Sequence, residues 1–250
     1  MDPHDSDHLL ATSAIWRSSN LNGLLASEDG GASWIFRELP GRCLRGAEIA
    51  FDLLRPSRVW LSAGLAAPIC GLSCPNSVSD DAGESWRCFE LGDPEERSSH
   101  LAPSPFVNGL VLATGTQGIY RSTNSGEDWS RVAEASALTS SYSELVWASA
   151  DTAYATSADY LAPEDSGLFF SHDAGATWQR AVPSLNEAPE HPWLGNLAVD
   201  PFRPGTVYAL SKESFSEYPR EVIRSTDGGL CDQRRHRRGR EARRRCACET

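Results

Sequence analysis

Residues 171–178 read Ser-His-Asp-Ala-Gly-Ala-Thr-Trp, and this pattern recurs along the chain. Full copies of the octet S-x-[D/N]-x-G-x-x-W occupy residues 27–34, 79–86, 122–129 and 171–178. A fifth copy begins at Ser225 and leaves the pattern after Gly229. A period of about 50 residues indicates a repeat architecture, in which each repeat is one supersecondary unit.

The fixed residues of the octet have separate roles in a turn. The side chain of Asp173, like its counterparts, can accept hydrogen bonds from nearby backbone amides, and the glycine two places later tolerates a positive φ. The tryptophan begins the next strand, where its ring can pack over the turn. Short apolar runs such as 118–121 and 167–170 precede the octets. Each octet is therefore predicted to join two strands as a hairpin turn.

One position separates a structural role from a catalytic role. The third copy has Asn124 where the others have aspartate, and an amide can cap a turn but cannot act as a general acid or base. We therefore interpret the octets as scaffold and assign no catalytic residue to them. The residues given this structural role are Asp29, Trp34, Asp81, Trp86, Asn124, Trp129, Asp173, Trp178 and Asp227.

The octets resemble the Asp box, also called the BNR repeat, of sialidases, sortilin-type receptors, xyloglucan-cleaving glycosidases and photosystem assembly factors. The resemblance covers nearly all of residues 1–230. It implies an all-β fold, a β-propeller of four-stranded antiparallel blades, with the octet between the third and fourth strands of each blade. About five blades are present, and because relatives close with six or more, the array is expected to be incomplete. The motif indicates a fold rather than a function, since its families bind or cleave different ligands.

A second signature sets the blade boundaries. Asp200-Pro201 precedes the apolar pair Val207-Tyr208, and Ser104-Pro105 precedes Val111-Leu112 at the same spacing. A blade then reads as inner strand, this turn, second strand, variable loop, third strand, octet and outer strand. The first such turn is Asp2-Pro3, and only Met1 precedes it, so the chain is expected to begin inside a blade. The predicted blades cover about residues 1–40, 47–91, 101–133, 144–182 and 196–230 of a propeller domain spanning 1–230.

Residues 231–250 read CDQRRHRRGREARRRCACET and contain no Leu, Ile, Val, Phe, Tyr or Trp. This composition predicts a disordered basic segment without a strand. One interpretation is a basic arm for acidic partners. The favoured one is a segment that is not native coding sequence, such as a shifted reading frame joined to a propeller cut in mid-blade. It is favoured because the composition changes abruptly inside an octet, where Asp232 stands in the place of the expected tryptophan.

Composition argues against several classes of protein. The net charge is −11 although residues 231–250 hold eight arginines, so the acidic remainder is expected to repel nucleic acid. No apolar run reaches the length of a membrane span, and residues 1–5 lack the features of an export signal. Neither a phosphate loop nor paired histidines at metal-ligand spacing are present. No cofactor and no metal are therefore predicted.

Four cysteines lie in or beside the predicted second blade. These are Cys43, Cys70, Cys74 and Cys88. Two disulfides in an exported protein are the favoured interpretation, with Cys70 and Cys74 closing the loop of residues 64–76. A zinc site is the alternative, but zinc ligands normally come as C-x2-C pairs, which this spacing does not provide.

The resemblance places ligand sites on the propeller face opposite the octets, where the loops between second and third strands and between successive blades gather. In this chain those loops place aromatic residues beside carboxylates, which suits a carbohydrate, because rings stack on sugar faces and acids bind hydroxyl groups. The alternative is that they are ordinary solvated loop residues. The candidate ligand-binding residues are Trp16, Asp159, Tyr160, Trp193, Glu217 and Tyr218.

The predicted function is a non-catalytic binding or scaffold propeller for a protein or carbohydrate ligand, whose intact parent lies in the cell envelope or outside the cell. The alternative is a glycoside hydrolase of the sialidase or xyloglucanase type, incomplete or inactive in this form. The arginine cluster and F/Y-R-I-P element of sialidases are missing, since Phe202-Arg203-Pro204 lacks the isoleucine. Xyloglucan-cleaving relatives use two aspartates across a cleft between two propellers. An assembly factor that holds another protein is the third possibility.

Overall fold

The computed structural model describes residues 1–13, 23–37, 48–62, 76–92, 96, 98–115, 117–134, 144–157, 167–181, 193–212, 222–228, 231–235 and 244–246. These residues form strands and turns, with no helix among them. Within this part of the chain, therefore, no helix could span a membrane. The chain divides into two compact units, the first with residues 1–115 and 120–130 and the second with residues 116–119 and 131–250.

The strands form five antiparallel sheets, each with its strands in chain order. The first contains β1 (Leu9–Ser13), β2 (Gly23–Ser27) and β3 (Ile35–Arg37). The second contains β4 (Glu48–Phe51), β5 (Val59–Ser62), β6 (Asn76–Ser79) and β7 (Arg87–Cys88). The third contains β8 (Ser98–Pro103), β9 (Val111–Gly115), β10 (Gly118–Ser122) and β11 (Ser130–Glu134). The fourth contains β12 (Leu145–Trp147), β13 (Ala153–Ser157), β14 (Gly167–Ser171) and β15 (Gln179–Arg180). The fifth contains β16 (Trp193–Asp200), β17 (Arg203–Lys212), β18 (Val222–Ser225), β19 (Cys231–Arg235) and β20 (Arg244–Cys246). Up-and-down sheets of this kind are the blades of a β-propeller, so the predicted fold class is confirmed.

Apolar side chains of successive sheets form the core. Val59 of β5 packs in a cluster with Leu10 and Leu24 of the first sheet, whereas the next residue, Trp60, packs in a cluster with Val111 of the third sheet. Because side chains alternate across a strand, β5 is buried on both faces. In the second unit, Tyr154 and Phe170 of the fourth sheet likewise join Val207 and Ala209 of the fifth. Within each unit the sheets thus pack face to face in chain order.

The octets form one recurring hydrogen-bonded turn. In the first octet the Ser27 hydroxyl donates to Asp29 Oδ1 at 2.8 Å and accepts from the Gly31 amide at 2.9 Å. The Asp29 carboxylate accepts from the Ser33 amide at 2.8 Å and from the Ser33 hydroxyl at 2.6 Å. Trp34 Nε1 then donates to the Gly31 carbonyl at 3.1 Å. The second and fourth octets repeat these bonds.

The fourth position of each octet ties two turns together. Its φ is positive in all five copies, including the non-glycine residues Ala82 (58°), Ser125 (64°) and Ala174 (58°). In the second, third and fourth sheets its amide donates to a carbonyl in the turn between the first and second strands, as Ala82 does to Ser57 at 2.7 Å. The octet and that turn therefore lie at the same end of these sheets, and the last residue of the second strand and the first residue of the third lie at the other end.

The glycine at the fifth position also allows close approach of the preceding sheet. A Cβ atom on Gly126 would lie 2.3 Å from the buried ring of Trp60, and one on Gly83 would lie 3.1 Å from Leu10. Trp129 of the same octet as Gly126 stacks on Phe89, with ring centroids 5.5 Å apart, and meets Trp60 edge to face. Each of these octets thus packs against the preceding sheet as well as closing its own hairpin.

The basic segment differs from its prediction. The sequence predicted no strand after residue 230, but β19 pairs with β18, and β20 pairs with β19. That prediction is wrong for residues 231–235 and 244–246. The physical reason is that the backbone amide and carbonyl groups along the outer side of β18 can bond to an antiparallel partner whatever the hydropathy of that partner's side chains.

Candidate functional site

The predicted ligand residues lie largely beyond the described parts of the chain. Trp16, Asp159, Tyr160, Glu217 and Tyr218 are outside the described residues, so their role stays a prediction. Trp193 was predicted in a loop, but it is the first residue of β16, where it pairs with Lys212. Its backbone is extended there because β17 continues far enough to offer it a partner.

The described residues instead show a carboxylate and an imidazole together at the sheet ends opposite the octets. Glu48 begins β4, and its Oε2 lies 2.6 Å from Nδ1 of His100 in β8. The side chains of Glu48 and His100 are 39% and 18% exposed, respectively. Both belong to inner strands of the first unit, so the sheet backbone fixes their positions while solvent can still reach them.

Buried hydroxyl groups support this pair. Ser62 Oγ accepts from the Glu48 amide at 3.3 Å and donates to the Ser99 carbonyl at 3.4 Å. The hydroxyl of Ser99 lies 2.7 Å from that of Thr114. Ser62 and Thr114 are fully buried. Loss of a buried hydrogen-bond partner costs about 1–3 kcal/mol, which favours a fixed geometry at this end of the sheets.

A second buried polar group anchors the connection from the second sheet to the third. Asn76 Oδ1 accepts from the amide and the hydroxyl of Ser98 at 2.8 and 2.6 Å, and Asn76 Nδ2 donates to the Glu96 carbonyl at 3.1 Å. Glu96 is 1% exposed. Its carboxylate occupies the space beside Gly115, where a Cβ atom would lie 2.2 Å from Glu96 Oε1. Gly115 is thus required for close approach rather than for an unusual φ.

The second unit repeats the glutamate arrangement. Glu144 immediately precedes β12, and its amide donates to Thr156 Oγ1 at 3.3 Å, as Glu48 does to Ser62. Its Oε2 accepts from the Leu197 amide of the next inner strand at 2.7 Å. Leu197 follows Asn196, which has a positive φ of 53° at an irregularity in the pairing of β16 with β17. Glu48 and Glu144 therefore each join one inner strand to the next.

Sequence reasoning missed these residues although a local signal exists. Glu48 begins the run Glu-Ile-Ala-Phe and Glu144 begins Glu-Leu-Val-Trp, and the second strand that follows each has a buried hydroxyl residue, Ser62 or Thr156, in its last two positions. An acid at the start of a strand is usually a solvated residue, so one copy carries little information. The two copies together, each at its inner strand, would have indicated a repeated contact.

The chemistry of this end of the sheets suits hydrogen bonding to a polar ligand. A carboxylate accepts hydrogen bonds and an imidazole can donate or accept, so the Glu48–His100 pair presents both functions to a hydroxyl-rich molecule. Among the described side chains, no three His, Cys, Asp or Glu residues are grouped as metal ligands would be.

Cys88 in β7 is disulfide-bonded. Its partner is not among the residues whose side chains the structure describes, so the pairing within the set of Cys43, Cys70, Cys74 and Cys88 stays a prediction.

Comparison with known proteins gives one curated relative of weak similarity. A xyloglucanase from Hypocrea jecorina (strain QM6a) is 25% identical over 272 residues, which cover 92% of this chain and 31% of the xyloglucanase. The chain thus spans about a third of the length of this relative. No family model matches the sequence.

Solved structures of GH74 enzymes share the architecture. The GH74 xyloglucanase from Xanthomonas campestris superposes with a TM-score of 0.68 at 17% identity, over 94% of this chain and 37% of that enzyme. An ancestral GH74 enzyme gives 0.70 at 17% identity, over 97% of this chain and 31% of its own length. At these identities the similarity establishes the fold, a β-propeller architecture that this chain shares with GH74 enzymes.

Proposed function

We propose that this chain is a glycan-binding portion of a xyloglucanase-like glycoside hydrolase. The observation that carries the proposal is the alignment of 92% of the chain with a xyloglucanase, together with the superposition on GH74 propellers. Because the chain spans about a third of these proteins, hydrolysis is assigned to the complete enzyme and binding to this portion. This proposal prefers the glycosidase to the non-catalytic scaffold that the sequence alone favoured.

The proposal includes the identity of the octets as Asp boxes. Their hydrogen bonds support it, since the residue at the third position is used to close a turn in every copy. The box carboxylates are then scaffold, and the ligand is expected at the opposite sheet ends. There the Glu48–His100 pair and the predicted loop residues Trp16, Tyr160 and Tyr218 would bind a sugar chain by hydrogen bonds and ring stacking.

The proposal places the intact enzyme outside the cytoplasm. The disulfide at Cys88 supports this location, because disulfides persist mainly in oxidising compartments.

Binding to soluble xyloglucan tests the proposal. Isothermal titration of residues 1–250 should show binding to xyloglucan and none to a β-1,4-mannan, without release of new reducing ends. Glu48→Gln and His100→Ala should each raise the dissociation constant about tenfold, equivalent to about 1.4 kcal/mol. Glu84→Gln is the matched control, because Glu84 lies in the second octet with its side chain 67% exposed.

Two outcomes would contradict the proposal. Absence of xyloglucan binding by a chain with a cooperative unfolding transition would favour a protein-binding scaffold instead. Equal loss of affinity in the Glu84→Gln control would show that the ligand is not recognised at the end opposite the octets.

A further inference from the structure

The hairpin formed by β19 and β20 brings two cysteines to opposing positions. In the antiparallel register Cys231 pairs with Cys246, Asp232 with Arg245 and Gln233 with Arg244. Directly opposed residues in such a ladder have Cα atoms about 4.5 or 5.5 Å apart, depending on the hydrogen-bonding pattern. Disulfides span Cα separations of about 4.4–6.8 Å, so either kind of pair is within reach.

An independent observation shows that the chain carries oxidised cysteine. Cys88, in the first unit, is disulfide-bonded. A compartment that maintains one disulfide also permits a second, and opposed cysteines in neighbouring strands need little chain rearrangement to react.

We propose that Cys231 and Cys246 form a disulfide that closes the β19–β20 hairpin. The thiolate of Cys231 attacks a low-molecular-weight disulfide such as oxidised glutathione, which releases one thiol and leaves a mixed disulfide. The thiolate of Cys246 then attacks the Cys231 sulfur and releases the second thiol. Two protein thiols are oxidised, one external disulfide is reduced, and the two protons are taken up by the departing thiolates. This inference does not depend on the proposed function.

The bond would hold the outer strands of the fifth sheet in place. β19 extends this sheet from the edge of β18, through backbone hydrogen bonds in a segment without large apolar residues. A hairpin closed at Cys231 and Cys246 keeps β19 and β20 in register although the arginines between them repel one another.

Peptide mapping tests the pairing directly, because the segment is rich in trypsin sites. Residues 1–250 are incubated with oxidised and reduced glutathione, free thiols are alkylated, and the unreduced protein is digested with trypsin. The proposal requires that peptide 225–234, which holds Cys231, be joined to peptide 246–250, and that reduction separate them. Alkylation of Cys231 in the unreduced sample, or its linkage to the peptide of another cysteine, overturns the proposal.

Cys248 provides the matched control, since it lies in the same tryptic peptide as Cys246. In Cys248→Ser the link to peptide 225–234 must remain, and in Cys246→Ser it must disappear. A link that survives Cys246→Ser and disappears in Cys248→Ser would assign the bond to Cys248 and overturn the register argument. Both readings come from denatured, digested protein, so neither variant needs to reach a stable fold to be informative.

Discussion

The octets at residues 27–34 and 122–129 build the same turn with a hydrogen-bond donor and acceptor exchanged. In the first octet the Ser33 hydroxyl donates to the Asp29 carboxylate at 2.6 Å. In the third octet the amide nitrogen of Asn124 donates to the Asp128 carboxylate at 2.7 Å. In both, the backbone amide of the seventh residue donates to Oδ1 of the third residue.

The comparison shows which property of the third position matters. Each copy needs an acceptor for the amide of the seventh residue and one complementary bond between the two side chains. Aspartate with serine or threonine meets this need in three octets, and asparagine with aspartate meets it in the other. The third and seventh positions are therefore coupled, and an acidic group at the third position is not required.

The largest expected loss of stability comes from the fifth-position glycine of the third octet, which packs more closely on the preceding sheet than its counterpart in the second octet does. Gly126→Ala should lower the free energy of unfolding by about 3 kcal/mol or more, because its Cβ would meet the buried Trp60 ring at 2.3 Å. Gly83→Ala should cost about 1–2 kcal/mol, since Leu10 lies 3.1 Å away and both glycines have positive φ. Urea unfolding monitored by tryptophan fluorescence measures both. Equal losses in the two variants would show that φ alone decides the cost.

Exchange of one side chain should break the third octet, and a second exchange should repair it. Asn124→Asp would face Asp128 with a second carboxylate in place of a 2.7 Å hydrogen bond, and should lower stability by about 1–2 kcal/mol. Asn124→Asp combined with Asp128→Ser recreates the pair found in the first octet and should recover most of the loss.

A double-mutant cycle gives the coupling between positions 124 and 128 directly. The expected coupling is about 1 kcal/mol or more, because the two side chains are in contact. Additive single and double effects would contradict the complementarity argument. Thr123→Asp is a matched control for the added charge, since Thr123 is the variable second residue of the same octet and is exposed.

The fold was largely predictable from the sequence because the same short motif recurs in each repeat. The candidate site was not, because it depends on contacts between residues that lie far apart in the chain. Gly83 and Gly126 indicated hairpin turns through their own conformational freedom. Ala82 and Ser125 gave no such indication, because neither residue type signals a positive φ. The Glu48–His100 contact joins two sheets, and its local signal, an acid at the start of a strand, is too common to indicate a contact by itself. The β19 strand was missed because backbone pairing, rather than apolar side chains, forms it.

Acid should weaken the turns of the octets that have aspartate at the third position more than the turn of the third octet, which has Asn124 there. Hydrogen bonds from the Ser33 hydroxyl and amide lower the pKa of Asp29 to about 2. Burial raises the pKa of Asp173, but bonds from Thr177 and Ser171 outweigh it and bring that pKa to about 2 as well. Both values lie below the 3.8 of a free aspartate, so the stabilisation is present above about pH 4 and is lost as the pH falls towards 2.

Hydrogen exchange from pH 5 to pH 2 measures this difference octet by octet. After correction for intrinsic rates, protection of the Ser33 and Thr177 amides should fall with acidification. Protection of the Asp128 amide should fall less, because it bonds to Asn124, which does not titrate. Asp29→Asn should flatten the pH dependence at Ser33. A uniform loss of protection in all three octets would show that global unfolding, rather than the local carboxylates, controls the acid response.

The smallest expected change in stability comes from exchanging glycine and alanine at the fourth position of the first two octets. Ala82 has a φ of 58°, a conformation that costs an L-residue about 1–2 kcal/mol, whereas Gly30 fills the same position at 67°. Ala82→Gly should raise the free energy of unfolding by about 0.5–1 kcal/mol, because relief of this strain exceeds the greater chain entropy of glycine in the unfolded state. Gly30→Ala should lower it, since the new Cβ would also approach Asp7 Oδ1 at 3.3 Å. Both substitutions leave the backbone bonds to Ser57 and Asp7 available. If the urea midpoint rises in Ala82→Gly and falls in Gly30→Ala, the left-handed conformation of Ala82 destabilises the wild-type protein. Shifts in the same direction would contradict that account.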